Sequence, residues 1–391
     1  MGNQSEVADL QARLRRLDGY LREDGENLTL LEEYGDLALR LGRLQDARTR
    51  TERALSLAPG DPRFLFRLAH VGISERKLDE AERILSGLRE AGIEVPVVTY
   101  DLAYVRVLKG EDAQAVELLE QIRGQPGCPP EAESLLIRAL HGAGRVNEAL
   151  EIAKDRLQGN PGDAKTMGAA SLLYLDNGDL GQAGEWAQRT LAADPENMEA
   201  LVTQGSVALA KEEGDAARLH FERALAVNPR AGRAWSGLGL ASMFALDLPR
   251  AQVELKNAVA NMPEHVGTWH ALAWCQILTK DLDGAAASFE QALSMDRNFA
   301  ESHGGRAVVA ALQGKMEIAK ESAEIALRLD PVCLSGRYAR ALVSGDIGDA
   351  AAFRRFAERV LQGLPAPGGG DLRGALARMQ QRIDHAQRPR K

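Results

Sequence analysis

Residues 5–23 place Val7, Leu10, Leu14, Leu17 and Leu21 at alternating spacings of three and four, an apolar stripe on one face of a helix. Farther on, the helical pattern repeats with a longer period. Alanines near the start of a second helix stand at Ala47, Ala81, Ala115, Ala149, Ala183, Ala217, Ala251, Ala285 and Ala319, each 34 residues after the last with no insertion or deletion. A fixed period of that size is the mark of a repeat array built from helix–turn–helix units.

Other positions keep the same phase. Pro59, Pro161, Pro195, Pro229, Pro263 and Pro331 each lie 12 residues past a marker alanine, where a proline ends a helix. Ala54, Ala224, Ala258, Ala292 and Ala326 follow their markers by seven, and Leu85, Leu119, Phe221, Leu255 and Phe289 follow by four. Small residues let two helix backbones approach, and the large ones fill the space beside them. Gly42, Gly110, Gly144, Gly178 and Gly314, five before the marker, suit a helix C-terminus that turns through positive φ.

Trp235, Leu238 and Gly239 in one first helix, and Trp269, Leu272 and Ala273 in the next, complete the pattern W-x2-L-G…A-x3-F…A…P. The chain therefore resembles the tetratricopeptide-repeat family. The resemblance implies an all-α, right-handed superhelical solenoid of about ten 34-residue helix–turn–helix units. On this reading residues 1–27 are an N-terminal helix or cap, and 28–333 are nine in-phase units. Residues 334–367 are a degenerate tenth unit, in which Phe353 stands at the marker position, and 368–391 are a linker and basic amphipathic helix. The N-terminal stripe reads as a cap, with a short dimerisation helix as the alternative. Leu372, Leu376, Met379 and Ile383 line one side of the last segment, which also carries Arg373, Arg378, Arg382, Arg388, Arg390 and Lys391. That segment either packs on the final unit, binds an acidic partner or anionic lipid, or folds back into the groove.

At 391 residues the chain exceeds one ordinary compact core, but repeats bury apolar surface against neighbours and escape that limit. A net charge of −8 lacks the basic footprint of a nucleic-acid binder. Cys128, Cys275 and Cys333 lie far apart, which fits a reducing, cytoplasmic setting without a disulfide framework. The first residues contain no apolar leader core, and no window approaches the length of a membrane span.

Searches for chemistry find little. Gly237-Leu238-Gly239 imitates part of a dinucleotide fingerprint but falls inside a repeat helix and follows no strand. No phosphate loop, nucleophile elbow or metal-binding helix appears, and the histidines are scattered. The expectation is a non-enzymatic protein with no cofactor and no metal.

In the family, stacked first helices line a concave groove that receives an extended peptide or a helix. The resemblance carries the groove here to Phe66, His70, Tyr100, Tyr104 and Arg138 in early units, and to Leu172, Val202, Leu240, Met243, His270, Trp274 and Val308 in later ones. The later set is apolar, as a protein-binding surface is expected to be. The carboxylate clamp of some family members is absent, since Phe66, Arg67, His70, Tyr100, Asp101 and Tyr104 occupy its positions. The chain thus reads as a scaffold or adaptor for a protein or peptide partner, placed by family usage in a bacterial secretion or surface-assembly system. A self-associating solenoid, or an accessory subunit of an enzyme or transport complex, is the alternative.

Overall fold

The computed structural model describes residues 2–362 and, beyond them, residues 371, 373, 374, 377 and 378. Every regular element among the described residues is an α-helix, and there are 21 of them. They are α1 (Gly2–Glu23), α2 (Leu28–Arg40), α3 (Leu44–Leu57), α4 (Pro62–Ser74), α5 (Leu78–Glu90), α6 (Pro96–Leu108), α7 (Asp112–Ile122), α8 (Ala132–Gly142), α9 (Val146–Gly159) and α10 (Ala164–Asp176). There follow α11 (Leu180–Ala193), α12 (Met198–Ala210), α13 (Gly214–Val227), α14 (Gly232–Phe244), α15 (Leu248–Asn261), α16 (Val266–Leu278), α17 (Leu282–Met295), α18 (Ala300–Leu312), α19 (Met316–Leu329), α20 (Leu334–Val343) and α21 (Ala350–Leu361). From α2 onward the even-numbered helices are called A helices and the odd-numbered ones B helices. The chain divides into two compact units, residues 1–169 and 170–391.

The B helices α3, α5 and α7 in the first unit and α13, α15, α17 and α19 in the second each pack back on the A helix before them and against the A helix after them. The reason lies in the marker alanines, all nine of which are fully buried. Bulky neighbours are buried with them: Leu85, Phe221, Leu255 and Phe289 expose nothing. Glycines on the A helices make room for these side chains. A Cβ at Gly237 would lie 2.2 Å from the Phe221 ring, one at Gly239 2.5 Å from Leu255, and one at Gly305 2.2 Å from the Phe289 ring. The Gly-x-Gly pair at 237 and 239 is therefore a packing device serving two different B helices.

The A-to-B turn is the same in every pair from α2/α3 to α18/α19. Gly42, Gly110, Gly144, Gly178 and Gly314 have φ between 69° and 80°, and Arg76, Glu212, Leu246 and Lys280 hold the same place at 63°, 63°, 58° and 65°. Tertiary packing thus imposes a left-handed residue whether or not glycine is present. A non-glycine residue there costs about 1–2 kcal/mol, and glycine returns part of that as extra chain entropy lost on folding. Leu246→Gly is consequently expected to raise stability by about 0.5–1 kcal/mol, because Leu246 is half exposed at 48%. A higher urea midpoint at unchanged slope supports this; a lower midpoint contradicts it.

A second periodic device explains Trp235 and Trp269. The indole Nε of Trp235 donates to the Pro229 carbonyl at 2.9 Å, and that of Trp269 to the Pro263 carbonyl at 2.7 Å. Arg337 donates likewise to the Pro331 carbonyl at 3.0 Å, and His303 pairs with the Arg297 carbonyl at 2.9 Å. Each bond ties the start of an A helix to the segment leaving the previous B helix, whose carbonyls have no helical partner.

At the N-terminal end, α1 buries the later part of its stripe in the chain, while Val7 stays 40% exposed. Leu14, Leu17 and Leu21 are 2%, 4% and 5% exposed and join one core with Leu31, Tyr34, Leu37 and Phe64. At the other end, α20 lies unusually close across α18. A Cβ on Gly304 would come within 2.5 Å of the Gly336 amide nitrogen and 2.7 Å of the Ser335 Cβ. The Glu301 carboxylate caps α20, accepting from the amides of Leu334 at 2.8 Å and Ser335 at 3.3 Å and from the Ser335 hydroxyl. Tyr338 then seats α21 through ring contacts with Phe353 at 6.0 Å and Phe356 at 6.1 Å.

Candidate partner-binding face

In the unit of residues 1–169 the face of α2, α4, α6 and α8 is polar and largely engaged in its own ion pairs. Arg67 of α4, with a side chain only 10% exposed, donates to Asp36 at 2.6 Å and Glu32 at 3.5 Å. Arg63 reaches Glu32 at 3.4 Å. His70 Nε2 sits 2.6 Å from the Asp101 carboxylate of α6, and its ring lies 4.5 Å from that of Phe66. Phe66, Tyr100 and Tyr104 are half-buried, and Arg138 is exposed on α8. Burial, followed by the nearby Glu131 charge, pushes the Tyr100 hydroxyl above the usual phenol range, so it is a neutral donor at physiological pH.

The unit of residues 170–391 presents a different surface on α10, α12, α14, α16 and α18. Leu172, Leu240, Met243, His270 and Trp274 are half-buried along it. Trp274 stands edge-on to Phe289 at 6.2 Å, and His270 does the same at 5.3 Å while its Nε2 meets the Ser302 hydroxyl at 2.6 Å. Burial holds His270 below the usual imidazole range, so it is neutral and acts as a hydrogen-bonding strut. Arg233 of α14 grips Asp176 of α10 with two bonds of 2.9 Å, spanning the intervening α12.

Two residues expected on this surface are not on it. Val202 is 5% exposed and packs into the core with Leu201, Phe221 and Leu238. Val308 exposes nothing, because the glycine contact between α18 and α20 brings Ala339 and Tyr338 over it. In exchange the structure supplies residues that sequence reading missed. Phe244, Leu278 and Leu312 are 62%, 54% and 44% exposed, one helical turn beyond Leu240, Trp274 and Val308 and therefore on the same face. Three large apolar residues recurring at 34-residue steps, each closing an A helix, were the available signal.

No group of three or more His, Cys, Asp or Glu among the described residues could hold a metal ion. The three thiols are free; burial pushes each above its usual range, Cys333 to about 12, so none is a thiolate near neutrality. No helix of the described residues is long and apolar enough to cross a membrane.

Stacked helix hairpins with small residues at their crossings are the architecture of a helical repeat array. Tetratricopeptide-repeat models match residues 38–92, 202–243 and 266–299. The chain is a tetratricopeptide-repeat protein, of a class that in general is non-catalytic and binds other proteins. No curated protein matches it. Among solved structures it is similar to PilF of Pseudomonas aeruginosa, at 17% identity over 54% of this chain and 96% of that one, with a TM-score of 0.45. A tetratricopeptide repeat protein from Parabacteroides merdae matches at 20% identity over 63% and 97%, with a TM-score of 0.42. The Cut9–Hcn1 tetramer of APC/C matches at 16% identity over 85% and 81%, with a TM-score of 0.44. These likenesses concern the fold and say nothing of a partner.

Proposed function

We propose that the protein is an adaptor that binds a helical or extended apolar segment of a partner protein along the A helices of residues 170–312. The observation that carries this reading is the exposed row of Phe244, Leu278 and Leu312 beside half-buried Leu240, Met243 and Trp274. Contiguous exposed apolar surface rimmed by polar residues marks interaction sites, and aromatic and methionine side chains are favoured anchors there. The polar face of residues 1–169, with Tyr100, Tyr104 and exposed Arg138, is a secondary contact zone on this reading. Self-association through α1 is disfavoured, because Leu14, Leu17 and Leu21 are already buried within the chain. Cytoplasmic placement accords with the free cysteines, and a secretion or surface-assembly role with how the family is often used.

The test is affinity capture from lysate of the native organism, read by mass spectrometry. It compares the wild-type chain with Leu240→Ala/Trp274→Ala and with Leu219→Ala, an exposed B-helix control. A partner at least tenfold depleted by the double variant and retained by the control supports the proposal. The same partners on all three chains would move the site off this face.

A further inference from the structure

The exposed row in residues 170–391 has a spacing of its own. Phe244, Leu278 and Leu312 close α14, α16 and α18, one in each repeat. α14 touches α16, and α16 touches α18. Axes of helices in contact stand about 8–10 Å apart, and seven residues of α-helix rise about 10.5 Å. A ligand helix laid across these helix ends therefore meets one row residue with every heptad. Positions seven apart drift only about 20° around such a helix, within the reach of a side chain. Leu240 and Trp274, half-buried one turn earlier on α14 and α16, offer a second row to the alternate apolar positions of the same heptads. That second row stops at α18, where Val308 is buried.

A step of about 10 Å also suits three residues of extended chain. An extended chain, however, brings N–H and C=O groups that the face would have to satisfy. Gly237 and Gly305, whose Cβ positions are filled by the Phe221 and Phe289 rings, present no side chain for that task. Ser171 donates to Thr203 at 3.2 Å, His270 meets Ser302 at 2.6 Å, and Arg233 holds Asp176, so these groups are already engaged. A helix satisfies its own backbone and asks only for apolar contact. Charge then selects among helices. Asp247 and Asp281 accept from first-turn amides of α15 and α17, where the helix dipole offsets their charge. Asp283 accepts from Gln313, and Glu317 pairs with Lys320. The side chains of Lys280 and Lys315, exposed in the turns after α16 and α18, have no hydrogen-bond or ion-pair partner among the described residues. Like the row itself, they recur in successive repeats.

We propose that the occupant of this edge is a single amphipathic helix of a partner protein, about 15 residues or longer. Its apolar residues stand at heptad a and d positions, and Asp or Glu flank them at seven-residue steps to meet Lys280 and Lys315. This rests on the reading of the face as the partner site and adds the partner's periodicity and charge.

The probe is a labelled synthetic peptide of about three heptads with leucine at a and d and glutamate at e and g. It is titrated into the full-length chain by fluorescence anisotropy. Its companions are a shuffled sequence without the heptad, a version with lysine for glutamate, and a version with a proline in each heptad that cannot be helical. The acidic heptad peptide should bind about tenfold more tightly than each companion, the contribution of one good anchor. Its binding should weaken as salt is raised. Phe244→Ser/Leu278→Ser, with unchanged circular dichroism, should lose that binding about tenfold. Lys280→Glu/Lys315→Glu should turn the preference toward the lysine peptide. Equal binding of any companion, binding of none of the peptides, or an unchanged preference in the charge-reversed chain overturns the proposal. Lysate capture with Phe244→Ser/Leu278→Ser separates the two readings. If the peptides behave as expected while that variant captures every native partner, the helix-binding edge stands and the partner-site reading falls. If the variant loses partners while the peptides do not discriminate, the partner site stands and the heptad inference falls.

Discussion

Phe289→Ala is expected to destabilise the unit of residues 170–391 by about 3–5 kcal/mol and to weaken partner binding together with stability. Phe289 exposes no surface and fills the crossing of α16, α17 and α18, so truncation leaves a cavity that backbone already in contact cannot close. The site of the cavity makes the change functional as well. The rings of His270 and Trp274 both stand on Phe289, at 5.3 and 6.2 Å, and lose their footing with it. Urea unfolding followed by circular dichroism reads the first effect, and hydrogen exchange across residues 266–329 localises it, since repeat arrays lose stability one neighbourhood at a time. The converse change, Gly305→Ala, drives a Cβ to 2.2 Å from the same ring and should cost about 1–3 kcal/mol. Combined with Phe289→Leu, the two substitutions should be clearly non-additive, because each relieves the other's volume error. Simple additivity, or a loss below 1 kcal/mol for Phe289→Ala, would show that this crossing is not packed as described.

How much of this was legible beforehand depended on whether a residue's neighbours are fixed by the repeat. Ala217 and Phe221 meet the same kind of partner in every pair, so their 34-residue period alone announced their burial. The glycine turns were legible for the same reason. Leu246 and Glu212 were not, because they adopt the left-handed turn conformation against their own preference; the surrounding helices impose it, and no side-chain signal records it. The hydrogen bond from Arg378 Nε to Glu212 Oε1 at 3.0 Å was equally hidden, as nothing local specifies a contact between residues so far apart.

The candidate face shows the limit more sharply. Leu240 and Trp274 were placed by analogy of position, and both are half-buried. Val308 holds the same position one repeat later and is buried. Position in the repeat predicts exposure only while the next repeat packs in the regular way, and α20 does not. The warning was present as small residues on α18, Gly304 against Gly336 and Ala307 near Ala339. Phe244, Leu278 and Leu312 were overlooked for a simpler reason. They close their helices, where a repeat pattern read from its middle assigns no role.

Gly304→Val should therefore detach the end of the array without unfolding the rest. The added Cβ meets the Gly336 amide nitrogen at 2.5 Å and the Ser335 carbonyl carbon at 2.9 Å, and backbone atoms cannot rotate aside as a side-chain tip can. α20 must move as a body. That movement breaks the hydrogen bonds from Leu334 and Ser335 to Glu301 and strips Ala339 and Tyr338 from Val308. Overpacking of this kind costs about 1–3 kcal/mol, more where backbone must yield, and the lost caps add to it. Because each hairpin depends chiefly on its neighbours, the loss falls on residues 334–361. Their amide protection should drop at least tenfold while that of residues 198–295 holds. Val308, newly uncovered, would then lengthen the apolar row of Phe244, Leu278 and Leu312, so a partner reading that row should bind the variant at least as well as wild type. Retained protection at residues 334–361 would mean that α20 does not depend on the glycine contact. Lost partner binding with protection elsewhere intact would mean that the partner reads α20 itself.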